Sequence, residues 1–196
     1  MDNSMDKKRI GSADMLKYNI CFIRRGDEIL LLNREKPSWM GCWNGIGGKL
    51  ERDEQPRESM IREIKEETAI SAYELHFKGM VTWSGGGGNF GGMYAYMAEV
   101  DGHFSYETPL KTNEGILDWK KIGWILDEHN IGIVSNVPKA LLAMLQDKGC
   151  YDHHCIYDNG QLTRYKPSPI PADLEFDDKK REKYFQKYTA LTGAVK

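Results

Sequence analysis

Apolar and polar positions along this chain follow two rhythms. One is a period of two or a short apolar block. The other, in a few places, is a period near 3.6. "LKYNICFIRR" and "EILLLNRE" read as strands joined at "GD", a hairpin over residues 16–35. "KPSWMGCWNGIGGKLERDEQ" reads as loop, with a short extended piece around Trp43 to Leu50. Pro56 opens a helix, where its missing N–H costs nothing, and "RESMIREIKEET" continues it with Met60, Ile61, Ile64 and Thr68 on one stripe. "ELHFKGMVTWS" and "MYAYMAEVDG" read as strands around "GGGGNFGG", read as a flexible loop. "SNVPKALLAMLQDKG" reads as a helix running from a Ser/Asn cap to Gly149 as C-cap. "HHCIYDNGQLTRY" alternates around the turn signal "DNG". "KPSPIP" reads as a linker, and the C-terminal stretch as a helix anchored by Leu174, Phe176, Tyr184 and Tyr188. This interleaving predicts an α/β or α+β domain over 14–165, with a mixed sheet and helices on its faces. A linker and helix occupy 166–196.

Composition narrows the function classes. With 196 residues, 40% of them apolar, the chain can build one ordinary core plus an appendage. A net charge of -2 argues against a general nucleic-acid binder or a disordered tail. The first residues lack the apolar core of a signal peptide, and no stretch approaches a membrane span of roughly 20 apolar residues. Cys21, Cys42, Cys150 and Cys155 lack the spacing of a disulfide framework, so a cytoplasmic protein is expected. "CYDHHC" packs two Cys and two His too tightly to wrap one tetrahedral ion, and reads as the start of a strand.

One feature strains against this picture. Glu63, Glu66 and Glu67 stand at i, i+3 and i+4, sharing one helix face beside the apolar stripe. Like charges so placed repel, and more so if partly buried. Arg57, Arg62 and Lys65 offer one remedy, that of a solvated surface helix. A bound hard cation offers the other. Mg²⁺, or Mn²⁺ as an alternative, prefers carboxylate oxygens and shares them readily with phosphates.

The glycines upstream favour the cation. Gly48, five residues, Glu54, seven residues, Arg62-Glu63-Ile64, one residue, Glu66-Glu67, one residue, Ala69-Ile70 resembles the Nudix box, G-x5-E-x7-R-E-U-x-E-E-x-G-U, with U bulky and apolar. Ala69 stands where that family has Gly, which predicts a helix end without positive φ, or a small strain. The resemblance implies an α/β/α sandwich and a Mg²⁺-dependent hydrolase of nucleoside diphosphate derivatives. Glu63, Glu66 and Glu67 would hold the metal with the Gly48 carbonyl and Glu114 from "TNEGILDWKKIGW". Glu54 and Arg62 would brace loop against helix. The general base stays open between Glu66, Glu63 and an acid of a later loop.

The substrate must be read elsewhere. "WNGIGGK" resembles the MutT-type branch acting on oxidised purine nucleoside triphosphates such as 8-oxo-dGTP. Asn44, Gly47 and Lys49 are thereby implied in substrate binding, and Asn136 of "VSNVPKALLAML" in base reading. The plainer readings are a turn Asn at 44 and a helix cap at 136. Trp39, Trp83, Phe90 and Tyr94 are candidates to stack on a base. Markers of the ADP-ribose and dinucleoside polyphosphate branches are absent past the box, where Gly86 and Gly87 stand. A hydrolase of those other substrates and a non-catalytic nucleotide sensor remain as alternatives. No polymer or membrane partner is implied, and a homodimer is left open.

Overall fold

The computed structural model describes residues 16–85 and 90–192, with side chains as far as Tyr188. Strands β1 (Leu16–Arg25) and β2 (Glu28–Arg34) form the expected hairpin, with Gly26 at φ 59° in its turn. After β3 (Trp43–Asn44) come helix α1 (Pro56–Thr68), β4 (Glu74–Ser84) and β5 (Phe90–Glu99). Then follow β6 (Leu110–Lys111), β7 (Gly115–Lys121), the single turn α2 (Ile122–Ile125) and α3 (Val137–Gln146). The chain closes with β8 (Cys150–Asp158), β9 (Gln161–Ile170), a 3₁₀ turn (Ala172–Glu175) and α4 (Asp178–Thr192).

The strands make one mixed sheet in the order β6-β7-β2-β1-β5-β4-β8-β9, with β3 on β2. The pairs β1·β5 and β4·β8 are parallel, and the others antiparallel. Alternation along β1 shows how the sheet feeds two cores. Cys21 and Ile23 join Met60 and Ile64 of α1 and Leu174, Phe185 and Tyr188 of the C-terminal segment. Ile20 and Phe22 join Ile125 of α2 and Val137, Ala140, Leu141 and Met144 of α3. Helices therefore cover both faces, as an α/β/α sandwich requires.

Several expectations need correction. Ile61 is not on the buried stripe of α1 but exposed, while Met60, Ile64 and Thr68 are buried. "KPSPIP" is not a linker: its first five residues are the second half of β9. Prolines are tolerated there because, among the described residues, β9 is the last strand of the sheet and pairs only with β8. Phe176 is 63% exposed and anchors nothing, and Phe185, at 1%, takes the role expected of it. α3 ends at Gln146 with Asp147 as its C-cap, three residues before Gly149 can serve. Of "GGGGNFGG", Gly91 and Gly92 lie in β5, and residues 86–89 fall outside the described residues, Gly86 and Gly87 with them.

Of the two outcomes expected at Ala69, the structure shows the strained one. Ala69 takes positive φ, 58°, and its N–H closes α1 on the Lys65 carbonyl. The backbone keeps the left-handed turn that glycine favours and forces an alanine into it.

Candidate active site

The loop after β3 runs antiparallel beside the first half of β1 and meets α1 at Gly48. Its glycines are required by contact. A Cβ on Gly47, at φ 144°, would sit 2.4 Å from the Asn19 carbonyl oxygen. A Cβ on Gly48 would sit 2.5 Å from Glu63 Oε1. The Gly48 backbone and the Glu63 carboxylate are therefore in direct contact.

Around this contact lies a cavity of about 750 Å³. Glu63, Glu66 and Glu67 line one wall, Gly47, Gly48 and Lys49 another, and Glu114 and Arg34 the far side. The structure thus brings together all the acidic residues expected there except Glu54, which sits just outside. Arg62 grips Glu54 with Nε and Nη2, at 2.9 and 3.0 Å. Its Nη1 reaches Glu63 and Glu66, both at 3.0 Å. The brace expected of Glu54 and Arg62 is in place, and it holds Glu54 down to about 2, chiefly through the Arg62 hydrogen bonds.

The three box glutamates differ. Glu66 is the most exposed, its side chain 60% accessible. Burial pushes Glu63 up, and Arg62 opposes that. Glu67 is pushed up to about 8, first by burial and then by the charge of Glu63, with Glu114 adding to it. The Gly47 N–H and the Arg34 charge pull the other way. Glu67 Oε2 is buried and has no hydrogen-bond partner among the described residues. A buried acceptor left unpaired beside other carboxylates asks for a positive partner.

Hard oxygen donors, the orphaned Glu67 oxygen and the glycine cradle fit a divalent cation. Four details qualify the expected ligand set. Among the described residues no three His, Cys, Asp or Glu side chains converge into a cage. Arg62 occupies the gap between Glu63 and Glu66. The Gly48 carbonyl accepts the Asn19 N–H at 2.9 Å, which leaves it one lone pair for a ligand. Glu114 pairs with Lys36 at 2.6 Å on the cavity rim.

A second cavity of about 670 Å³ adjoins the first. The two share Tyr18, Arg34, Asn44 and Met93. Asn44, Asn136, Trp39, Trp83 and Tyr157 line the second. Asn44 Oδ1 accepts the Gly45 N–H at 2.9 Å, so its amino group is left to donate. Asn136 precedes α3 without capping it through its side chain. Its side chain lies near the buried Cys155 thiol, which donates to the His153 carbonyl. Phe90 and Tyr94 lie elsewhere, so they are no stacking candidates. Phe90 packs on Tyr188, centroids 4.5 Å apart, and Tyr94 is buried beneath Arg181.

Sequence reasoning missed Asn19, Ser59 and Arg34. A single Asn in an alternating strand carries no signal of its own, and Ser59 reads as a neutral helix position. Arg34 ends β2, where a charged residue is ordinary.

Comparison with known proteins agrees with the geometry. The NUDIX domain family model matches residues 16–125. An uncharacterized Nudix hydrolase, YvcI of Bacillus subtilis, is 28% identical over 121 residues, 61% of this chain and 69% of that protein. The CTP pyrophosphohydrolase of Escherichia coli is 39% identical over 59 residues, 30% of this chain and only 44% of that protein. Among solved structures, the MutT protein of Bacillus halodurans superposes with a TM-score of 0.63 at 24% identity, covering 79% of this chain and 98% of that one. That likeness shows the fold. The family match takes in β1 through α2, glycine loop and acidic helix included, and on it this chain belongs to the Nudix family, as a pyrophosphohydrolase.

Proposed function

We propose that this enzyme hydrolyses a nucleoside triphosphate to the monophosphate and pyrophosphate, with an oxidised purine deoxynucleotide such as 8-oxo-dGTP as the preferred substrate. The observation that carries the reading is the pairing of two adjoining cavities, one acidic and one lined by carboxamides and indoles. The first suits a cation-bridged phosphate chain. The second suits a purine, whose edge offers donors and acceptors and whose face stacks.

Glu63, Glu66 and Glu67 would hold Mg²⁺, or Mn²⁺ in its place, with Glu114 and the Gly48 carbonyl as further ligands. A divalent cation held there neutralises phosphate charge and makes an attacking water more acidic. Glu66, Glu63 or Glu114 takes the proton from that water. Arg62, anchored on Glu54, keeps Glu63 and Glu66 oriented. Lys49 and Arg34 face the phosphates across the cavity, with the Gly47 backbone beside them. The Asn44 amino group and the Asn136 carboxamide read the base, and Trp39 and Trp83 enclose it.

The test is a substrate panel with Mg²⁺: 8-oxo-dGTP, dGTP, the other nucleoside triphosphates, ADP-ribose and diadenosine polyphosphates, scored by kcat/KM and by products. Preference for 8-oxo-dGTP with release of pyrophosphate is the expected outcome. Preference for ADP-ribose or a dinucleotide would keep the acidic helix and discard the base-reading residues. Binding without turnover would favour a nucleotide sensor.

A further inference from the structure

Asn19 is 3% exposed and Ser59 is fully buried, both polar and both between β1 and α1. The hydrogen bonds around them have only one consistent direction. The Gly48 N–H can only donate, so the atom 3.0 Å from it is the Asn19 carbonyl oxygen. The other end of that carboxamide is then the amino group, and it donates to Ser59 Oγ at 2.8 Å. Ser59 Oγ also receives Arg62 Nη2 at 3.3 Å. Glu54 in turn fixes Arg62, and Arg62 Nη1 is left for Glu63 and Glu66.

We propose that Asn19 and Ser59 are positioning residues, linking the Gly48 amide to Arg62 through a hydrogen-bond chain whose donors converge on Ser59 Oγ. That chain sets how Glu63 and Glu66 face the cavity. Gly48 touches Glu63 at one end, and Arg62 touches it at the other. The two ends therefore close on the same carboxylate, and loop and helix cannot shift separately. Only a carboxamide serves at 19. Aspartate could accept from the Gly48 N–H but has no N–H to donate to Ser59 Oγ. Leucine would leave the half-buried Gly48 N–H without its acceptor.

This inference rests on the acidic helix acting as proposed above, and the controls separate the two. Full-length wild type, Ser59→Ala, Asn19→Leu and their double variant are compared with Glu66→Gln. Steady-state kinetics with Mg²⁺ give kcat and KM. The ¹⁵N–¹H signal of Arg62 Nε, assigned by its loss in Arg62→Lys, is followed in metal-free protein. Ser59→Ala should lower kcat about tenfold with KM within about twofold, as loss of an outer-shell partner does. The Arg62 signal should move or broaden. The double variant should be little worse than the poorer single, because one chain is cut once or twice. If Ser59→Ala and Asn19→Leu lose thermal stability but keep wild-type kcat and an unshifted Arg62 signal, both residues only pack and the proposal falls. Should Asn19→Leu fail to fold, Ser59→Ala alone decides. If Glu66→Gln is fully active, the reading of the acidic helix falls instead.

Discussion

Two carboxylates are buried against the same face of one sheet, and they are treated in opposite ways. Asp152 on β8, with no exposed surface, accepts hydroxyl hydrogens from Thr82 at 2.6 Å, from Tyr184 at 2.7 Å and from Tyr188. Lys187 stands 3.7 Å away. Both oxygens have partners, and those on α4 tie that helix to the sheet. Glu67 on α1 keeps one buried oxygen unpaired and has Glu63 and Glu114 as neighbours. The first arrangement is complete in itself. The second is complete only with a cation or substrate present. Satisfaction, not burial, separates a structural carboxylate from a functional one here.

The contrast can be broken from either side. Asp152→Ala leaves three hydroxyls and an ammonium without their acceptor. It should cost about 3–5 kcal/mol of stability, a fall in Tm on the order of 10 °C. Turnover per folded molecule should stay near wild type, as calorimetry and assays at low temperature would show. Glu66→Gln should do the reverse, lowering kcat/KM at least about a hundredfold, or roughly 2.7 kcal/mol. Its melting temperature should hardly move, because Glu66 lies at the solvent edge.

Titration sharpens the comparison further. In protein stripped of divalent ions, the Glu67 pKa is raised by folding, to about 8 from an unfolded value of 4.5. The folded state then binds its proton more tightly than the unfolded chain. The stability this contributes is full below 4.5 and is lost as pH climbs through about 8. Melting curves in EDTA between pH 5 and 9 should fall with pH in wild type. They should be flatter in Glu67→Gln and in wild type with Mg²⁺. The smallest effect belongs to Ala69. Glycine there should relieve the left-handed alanine and add about 1 kcal/mol to stability without touching kcat.

How much of this was legible in the sequence depends on whether a signal is local. The β1–β2 hairpin, the α1 helix and the "DNG" turn, with Asn159 and Gly160 both at positive φ, rest on alternation and turn chemistry over a few residues. The box glutamates rest on helical spacing. All could be read. Tertiary partners could not. Pro167 and Pro169 look like a linker until β9 is known to be the edge of the sheet. Phe176 and Phe185 look alike until α4 is docked. Asn19 and Ser59 stand 40 residues apart and gain meaning only when β1 meets α1. Arg62 is legible both as a brace to Glu54 and as a local partner of the glutamates, since its pair with Glu66 is an i,i+4 contact on α1.

The central claim is that the unsatisfied carboxylates of α1, and not the satisfied one under α4, take up a divalent ion. A titration of nucleotide-free protein with Mn²⁺, followed by electron paramagnetic resonance of the free ion, tests it most directly. Wild type and Asp152→Asn should bind alike, and Glu67→Gln should bind at least about tenfold more weakly. Undiminished binding by Glu67→Gln, or loss in Asp152→Asn alone, would contradict the account.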